Sequence, residues 1–226
     1  MKLKSVQSQS ADVLILVVCS FVLVSLLFPL LEPAISLAQT SIFTIRQPVV
    51  GEISFTTSAA NVTMAGSLAG LTGGNATGTT QVGVVTNSTT GYSMTIAFTN
   101  NPAMRGETTG STAIGNYGTT TEPTFNFFAS TSAVFAYSVY ASTTADLDQS
   151  FKSNGSACNT GAASTANTCW MGASTTAFQI IARTTAATTT PATTTVQFRV
   201  NIPNNPTPAV QSDFYTATAT LTVTAT

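Results

Sequence analysis

Few residues of this 226-residue chain could carry acid–base or nucleophilic chemistry. It contains no His, which excludes the Ser–His and Cys–His nucleophile pairs that need an imidazole base. The carboxylates after residue 38 are Glu52, Glu107, Glu122, Asp146, Asp148 and Asp213. These residues are scattered along the sequence, which indicates charged side chains in solvated loops. The alternative is that the fold brings two of them together as a glycosidase-like carboxylate pair. We therefore expect no catalytic residue, no cofactor and no enzymatic activity.

Two of the three cysteines, Cys158 and Cys169, lie after residue 38. An even number of thiols in an oxidising compartment predicts a disulfide, worth up to about 3 kcal/mol for a ring of this size. A metal site is disfavoured, because there is no Cys-x-x-Cys spacing and no His. Asp146 and Asp148 lack the Gly turn and distal Glu of a calcium loop, so we predict no bound metal.

Trp170, the only tryptophan, directly follows Cys169. Its ring could form a stacking platform for a sugar ligand. The interpretation that we favour is structural, with the indole packed on the disulfide.

The first 38 residues differ from the rest. A positively charged start precedes an apolar run at residues 13–31, and small residues occupy the positions before a cut between Ala38 and Gln39. This order predicts a signal peptide over residues 1–38 and a secreted or cell-surface protein. An uncleaved anchor is the alternative, because the apolar run is long enough to span a bilayer. Membrane contact is expected only through this segment.

The remaining composition is typical of a β protein with few charges. Only 7% of residues are charged, the net charge is −1, and 44 of the 188 residues after residue 38 are Thr. Threonine is β-branched and suits a pleated strand without adding charge. Because no basic cluster is present to neutralise phosphates, nucleic acid is excluded as a partner.

Alternation of apolar and polar residues predicts strands throughout the chain after residue 38. The clearest is residues 215–226, where every even position is Thr. Other predicted strands are residues 92–98, 134–141, 178–183 and 196–202, with weaker candidates at 42–45, 52–56, 61–64, 81–86 and 124–128. Residues 100–123 and 142–176 are predicted to be long loops. The pattern predicts one all-β domain over residues 39–226, an immunoglobulin-like or Greek-key β-sandwich.

Three stretches, residues 85–96, 135–140 and 213–224, together form a family pattern. The chain in this respect resembles the spore-coat-protein-U-like domain that is shared with subunits of archaic chaperone–usher fimbriae. It is also similar to uncharacterised Thr-rich exported proteins of small-genome bacteria. The resemblance implies a secreted β-sandwich with a fimbria-like role.

These observations favour a non-catalytic structural subunit of a cell-surface layer or fibre, with copies of itself or other surface proteins as partners. A secreted adhesin or carbohydrate-binding module with glycan ligands is the alternative. Residues 40–49 place Phe43, Ile45 and Val49 on one face, and Pro48 removes a ladder donor. We expect this segment to be an edge strand that either caps its own domain or is donated to the next subunit.

Overall fold

A computed structural model describes residues 40–118, 120–128 and 130–226. The chain divides into two units, Met1–Pro48 and Val49–Thr226. The predicted signal peptide and the cleavage position at Ala38 and Gln39 lie outside the described residues. Within the described residues, no helix has the length and hydropathy needed to cross a membrane.

The second unit is all-β, as predicted. Its strands are β1 (Ile53–Thr57), β2 (Leu68–Ala69), β3 (Gly73–Thr86), β4 (Tyr92–Phe98), β5 (Met104–Gly106), β6 (Ala113–Asn116), β7 (Thr124–Phe125), β8 (Val134–Ala141), β9 (Cys169–Gly172), β10 (Phe178–Arg183), β11 (Ala187–Ile202), β12 (Tyr215–Thr216) and β13 (Ala219–Ala225). Two short 3-10 helices, Thr144–Asp146 and Gln149–Phe151, are the helical segments in the described part of the chain.

A large sheet of ten strands contains the order β1-β3-β11-β8-β6-β5-β12. Strand β2 pairs with β3, while β9 pairs with β8 and β7. The ladders are antiparallel except between β6 and β8. The longest ladder joins β3 to β11 and runs from the pair Gly74–Ile202 to the pair Val84–Ala192, and after a register shift it ends at the pair Thr86–Ala187. The predicted strands at 81–86 and 196–202 are confirmed, and both extend further along the chain than their alternation indicated.

A small sheet of three strands has the order β10-β4-β13. Strands β4 and β10 have the predicted bounds, and Gly91 forms the turn before β4 with a φ of 87°. A side chain at Gly91 would collide with the Arg183 carbonyl oxygen, so this close approach requires glycine. The two sheets share one core, in which Met94 and Ile96 of β4 lie in the same cluster as Val196 and Val200 of β11.

The predicted strand at 215–226 is two strands in different sheets. Tyr215 in β12 pairs with Gly106 in the large sheet, whereas Ala219 begins the β13 ladder with Phe98 in the small sheet. The chain therefore crosses from one sheet to the other between these strands. Alternation cannot show such a crossing, because the side-chain period continues through it.

Other predictions at the level of elements need correction. The predicted strands at 42–45 and 61–64 are wrong, because the structure has no strand at either place. The predicted loop at 100–123 contains β5 and β6. The predicted loop at 142–176 contains β9 and both 3-10 helices. These strands have three or four residues each, too few for alternation to be visible. Strand β8, predicted to be central, lies between β11 and the strands β6 and β9.

Candidate functional site

The small sheet ends at β13, and its ladder with β4 determines which backbone groups point away from the sheet. Thr99 N–H donates to Thr218 O at 3.0 Å, and Thr226 N–H donates to Gly91 O at 3.2 Å, so the even-numbered residues of the strand bond to β4. In an antiparallel ladder, the residues between such pairs turn their backbone groups the other way. The groups that point outward are those of Ala219, Leu221, Val223 and Ala225.

No strand of the described chain pairs with that outer side of β13. Strand β1 comes within 8 Å of β13 in Cα separation, but its ladder is with β3. The strand contains neither a charged residue nor a proline. Leu221 and Val223 are half-buried against the core, and Thr220, Thr222 and Thr224 are exposed. A regular edge of this kind is a template for pairing with another chain.

Thr226 holds the end of β13 in place. Thr226 O accepts hydrogen bonds from Ser88 Oγ at 2.8 Å and from Thr90 Oγ1. Thr226 Oγ1 in turn donates to Thr90 O at 2.8 Å. The exposed edge is therefore anchored at its end by the turn that precedes β4.

The opposite edge of the small sheet, β10, is covered. Asp148 N–H donates to Ile180 O at 3.0 Å, and Leu147 forms a β-bridge with Ile181. Next to these bonds, Arg183 Nη1 donates to Asp146 Oδ2 at 2.5 Å, with only 16% and 10% of the two side chains exposed. The segment with the two 3-10 helices therefore occupies the edge that another strand would need.

The predicted disulfide between Cys158 and Cys169 is confirmed, with a Cα–Cα distance of 5.9 Å. Cys169 begins β9 and is buried, while Cys158 lies on the segment that continues from the two 3-10 helices. The bond thus ties the far end of the segment that covers β10 to the large sheet.

Residues 40–50 present apolar side chains to solvent. Ile42 is 96% exposed, Phe43 78% and Ile45 84%, and Val49 and Val50 are exposed as well. Residues 40–48 belong to the N-terminal unit and have no regular secondary structure. The predicted edge strand is therefore not formed here, although its side chains have the composition of a strand.

Trp170 is fully buried. Its ring centroid lies 5.6 Å from that of Phe127 in an edge-to-face contact, and Tyr117 stacks on the same Phe127 at 4.5 Å. Its indole ring therefore has no exposed face for a sugar, and the platform suggested by its position after Cys169 does not exist in this structure.

Asp146, Asp148 and Asp213 each have hydrogen-bond partners. Asp146 pairs with Arg183, and Asp148 accepts hydrogen bonds from Ser150 N–H at 3.0 Å and from Gln179 Nε2 at 3.2 Å. Desolvation raises the pKa of Asp213, but hydrogen bonds from Thr108, Thr109 and Phe214 outweigh it and hold that pKa below its ordinary value. No group of three or more metal-ligating side chains occurs among the described residues.

The sequence did not reveal which strands are edges, and so the site at β13 was missed. One signal was present: residues 219–225 contain no charged residue. The pair Arg183–Asp146 that helps to cover β10 gave no signal, because the two residues are far apart in the sequence.

No protein-family model, no curated protein and no solved structure matches this chain significantly.

Proposed function

We propose that this protein is an exported, non-catalytic subunit that assembles with copies of itself into a cell-surface layer or fibre. In this proposal the two sheets are the layers of an immunoglobulin-like β-sandwich, which the shared core supports. Export depends on residues 1–38 acting as a signal peptide. N-terminal sequencing of the exported protein tests this point, and a mature chain that retains these residues would contradict it.

The observation that carries the proposal is the unprotected edge of β13. Soluble proteins usually protect an edge strand with charge, proline, a bulge or a covering loop. The seven residues Ala219–Ala225 have no charge or proline, and their register with β4 is regular throughout. Such an edge would expose a monomeric protein to aggregation, whereas an assembly subunit needs it to pair with the next subunit.

Residues 40–49 of a second copy are the strand that we assign to this edge. The segment is apolar, exposed and without secondary structure, and Arg46 is its only charge. Pairing would satisfy the outward groups of β13 and remove Ile42, Phe43 and Ile45 from water, at roughly 25 cal/mol for each Å² of apolar surface buried. The contact joins different surfaces of the two copies, so it propagates as an open chain of subunits.

The exposed, uncharged threonines of β13 also favour assembly. Thr220, Thr222 and Thr224 of β13 are exposed, and the neighbouring residues Ser93 and Thr95 of β4 are only half-buried. A face of uncharged hydroxyl groups can approach an identical face without charge repulsion. This surface supports lateral packing of adjacent subunits.

The experiment compares the mature protein, residues 39–226, with a variant that lacks residues 39–48. Light scattering and electron microscopy should show filaments or sheets for the first and monomers for the second. Circular dichroism at a concentration at which both proteins are monomeric should show the same β content, because residues 40–48 have no regular secondary structure. Unchanged polymerisation of the deletion variant would exclude donation by this segment. A mature protein that stays monomeric at high concentration would exclude the assembly function.

A further inference from the structure

The segment that leads into β1 places an exposed carboxylate in an open cavity. The cavity has a volume of about 620 Å³ and is lined by residues 51–54, residues 85–87 at the end of β3, and Thr188. Glu52 is the only charged residue in this lining. It is exposed and forms no ion pair within the described part of the chain. The charge of Glu52 is therefore available to a partner.

The backbone around Glu52 is held in a defined position. Glu52 N–H donates to Asn87 Oδ1 at 2.6 Å, and Glu52 O accepts from Thr86 Oγ1 at 2.8 Å and from Asn87 N–H at 3.3 Å. Asn87 Nδ2 also donates to Val50 O at 3.1 Å. Because these bonds use the main chain of Glu52, its carboxylate is presented at a fixed place on the surface with its oxygens free.

This carboxylate lies near the end of β13. Ser88, the residue after Asn87, donates from Oγ to Thr226 O at 2.8 Å, and Thr226 N–H donates to Gly91 O at 3.2 Å. Strand β1 also comes within 8 Å of β13 in Cα separation. A strand added along the outer side of β13 would therefore reach Glu52 as it passes Thr226.

The segment that we assign to the β13 edge carries one charge of the opposite sign. Arg46 is the only charged residue among residues 40–49, is exposed and forms no ion pair with a described residue. The other basic residues of the described chain are only partly exposed, and they are Arg105, Lys152, Arg183 and Arg199. Arg46 is therefore the basic side chain most accessible to a carboxylate on another copy.

We propose that Arg46 of one copy pairs with Glu52 of the next copy and that this contact sets the register of the donated segment. The inference rests on the proposed function, because it requires residues 40–49 to lie along β13. Main-chain bonds to a Thr-rich strand with one polar face specify register weakly. An exposed ion pair adds little binding energy, but attraction between opposite charges and repulsion between like charges select one alignment.

The pair also determines the direction of the added strand. When Arg46 lies beside Thr226, the residues that precede it extend toward Ala219, and the added strand is parallel to β13. Side chains alternate along a strand, so Phe43 and Ile45 lie on the face opposite to Arg46. That apolar face can pack beside the half-buried apolar residues of β13, while Arg46 remains on the exposed side with Glu52.

Charge reversal tests the contact in the mature protein, residues 39–226. Arg46→Glu and Glu52→Arg each place like charges together, and each alone should raise the concentration needed for assembly about fivefold or more, measured by light scattering. An equimolar mixture of the two variants restores opposite charges at every contact between unlike copies. The mixture should assemble within about twofold of the native concentration, since both contacts are again attractive. Circular dichroism of the monomers should be unchanged, because both side chains are exposed.

A second mixture controls for net charge. Glu107→Arg changes the net charge as Glu52→Arg does, at an exposed acidic residue that does not line the cavity, and should assemble like the native protein. Centrifugation and mass spectrometry of the pellet measure how much Arg46→Glu protein enters the assembly. It should form about half of the pellet with Glu52→Arg, where unlike copies alternate, and a minor part with Glu107→Arg, which retains Glu52. Equal incorporation in both mixtures would show an effect of net charge and would overturn the proposal.

The outcomes separate this contact from the assembly function. If the native protein assembles and neither charge reversal changes the concentration required, the pairing of Arg46 with Glu52 is wrong and the assembly function stands. The pairing is also wrong if both reversals prevent assembly and their mixture does not restore it. If the native protein stays monomeric at high concentration, the contact and the proposed function are both excluded.

Discussion

The two edges of the small sheet, β10 and β13, are built in opposite ways. Strand β10 is covered by a segment that bonds to Ile180 and Ile181, contains the Asp146–Arg183 pair and is tied down by the disulfide. Strand β13, whose ladder with β4 has no register shift, has no cover among the described residues. Both strands flank the same central strand, so the difference does not come from their place in the fold.

This contrast shows that protection of an edge comes from the segment that packs beside it in the fold and not from the strand itself. The cover on β10 uses two of the eight acidic residues and one disulfide, in a chain with few of either. Strand β1 comes within 8 Å of β13 in Cα separation but pairs with β3, so no described strand pairs with the outer side of β13. One free edge with one protected edge gives a directional subunit, as an open-ended assembly requires.

Among the variants that test the difference between β10 and β13, Leu147→Ala should cause the largest loss of stability. Leu147 is 1% exposed and bridges to Ile181, so its truncation leaves a cavity under the cover of β10. The expected loss is about 3 kcal/mol of unfolding free energy, measured by urea denaturation. Leu71→Ala is the matched control, since Leu71 is 66% exposed and should lose well under 1 kcal/mol. Equal losses in both variants would show that Leu147 does not pack as described.

Removal of the disulfide should have the next largest effect. The double variant Cys158→Ser, Cys169→Ser frees the end of the covering segment and should lose about 2–3 kcal/mol of unfolding free energy. Urea denaturation of the native protein with and without reductant gives the comparison. The reduced native protein and the double variant should unfold at similar midpoints. A variant as stable as the oxidised protein would show that the rest of the cover is sufficient.

Tyr92 lies in β4, between the two edge strands. Its ionisation makes the stability of the protein depend on pH in the alkaline range. Burial raises the pKa of Tyr92 to about 12, Asp146 adds to this increase and Arg183 opposes it. In the unfolded chain this phenol ionises near its ordinary pKa of about 10. In the folded protein it stays protonated up to about pH 12. Its contribution to stability is present below about pH 10 and is lost as the pH rises toward 12.

We expect Tyr92→Phe to reduce the loss of stability between pH 10 and pH 12. The variant should fold normally near pH 7, because the Tyr92 hydroxyl is buried without a hydrogen-bond partner. Urea denaturation at several alkaline pH values measures the slope, with Tyr140→Phe as the control for removing a hydroxyl group. An identical slope in the native protein and Tyr92→Phe would refute the assignment.

Much of the fold could be predicted from alternation, and the failures have specific physical causes. Strands β4 and β10 were predicted with the correct bounds, because β4 alternates over seven residues and β10 is a short run of mostly apolar residues. The first half of β3 was missed, because its Gly and Thr residues form a ladder with β11 but carry no apolar pattern. Residues 42–45 have the pattern of a strand but no partner to pair with.

The candidate sites were less predictable than the strands. The disulfide could be predicted because only two cysteines remain after the signal segment. The Arg183–Asp146 pair joins residues that are 37 apart in the sequence and come together only through the fold. An edge is likewise defined by the absence of a neighbour, which depends on the order of strands in the sheet. Local patterns contain neither kind of information.

The smallest effect on stability and the sharpest effect on assembly are expected from adding charge to β13. In the variant Thr222→Lys, Thr224→Lys, two exposed side chains become cationic on the unprotected edge. Lysine on an edge strand opposes the approach of another strand, because pairing would bury or crowd the charge. The unfolding free energy should change by about 0.5 kcal/mol or less, since neither threonine side chain is buried.

The same double variant should remain monomeric under conditions in which the native protein assembles, as measured by light scattering. Thr189→Lys, Thr190→Lys is the charge-matched control, since both threonines are exposed on β11, a strand inside the large sheet. That control should assemble normally, because the added charge is the same but lies away from the edge. If both double variants assemble equally well, the contact between subunits does not involve β13. If neither assembles, the effect is one of net charge, and the proposed role of this edge is lost with it.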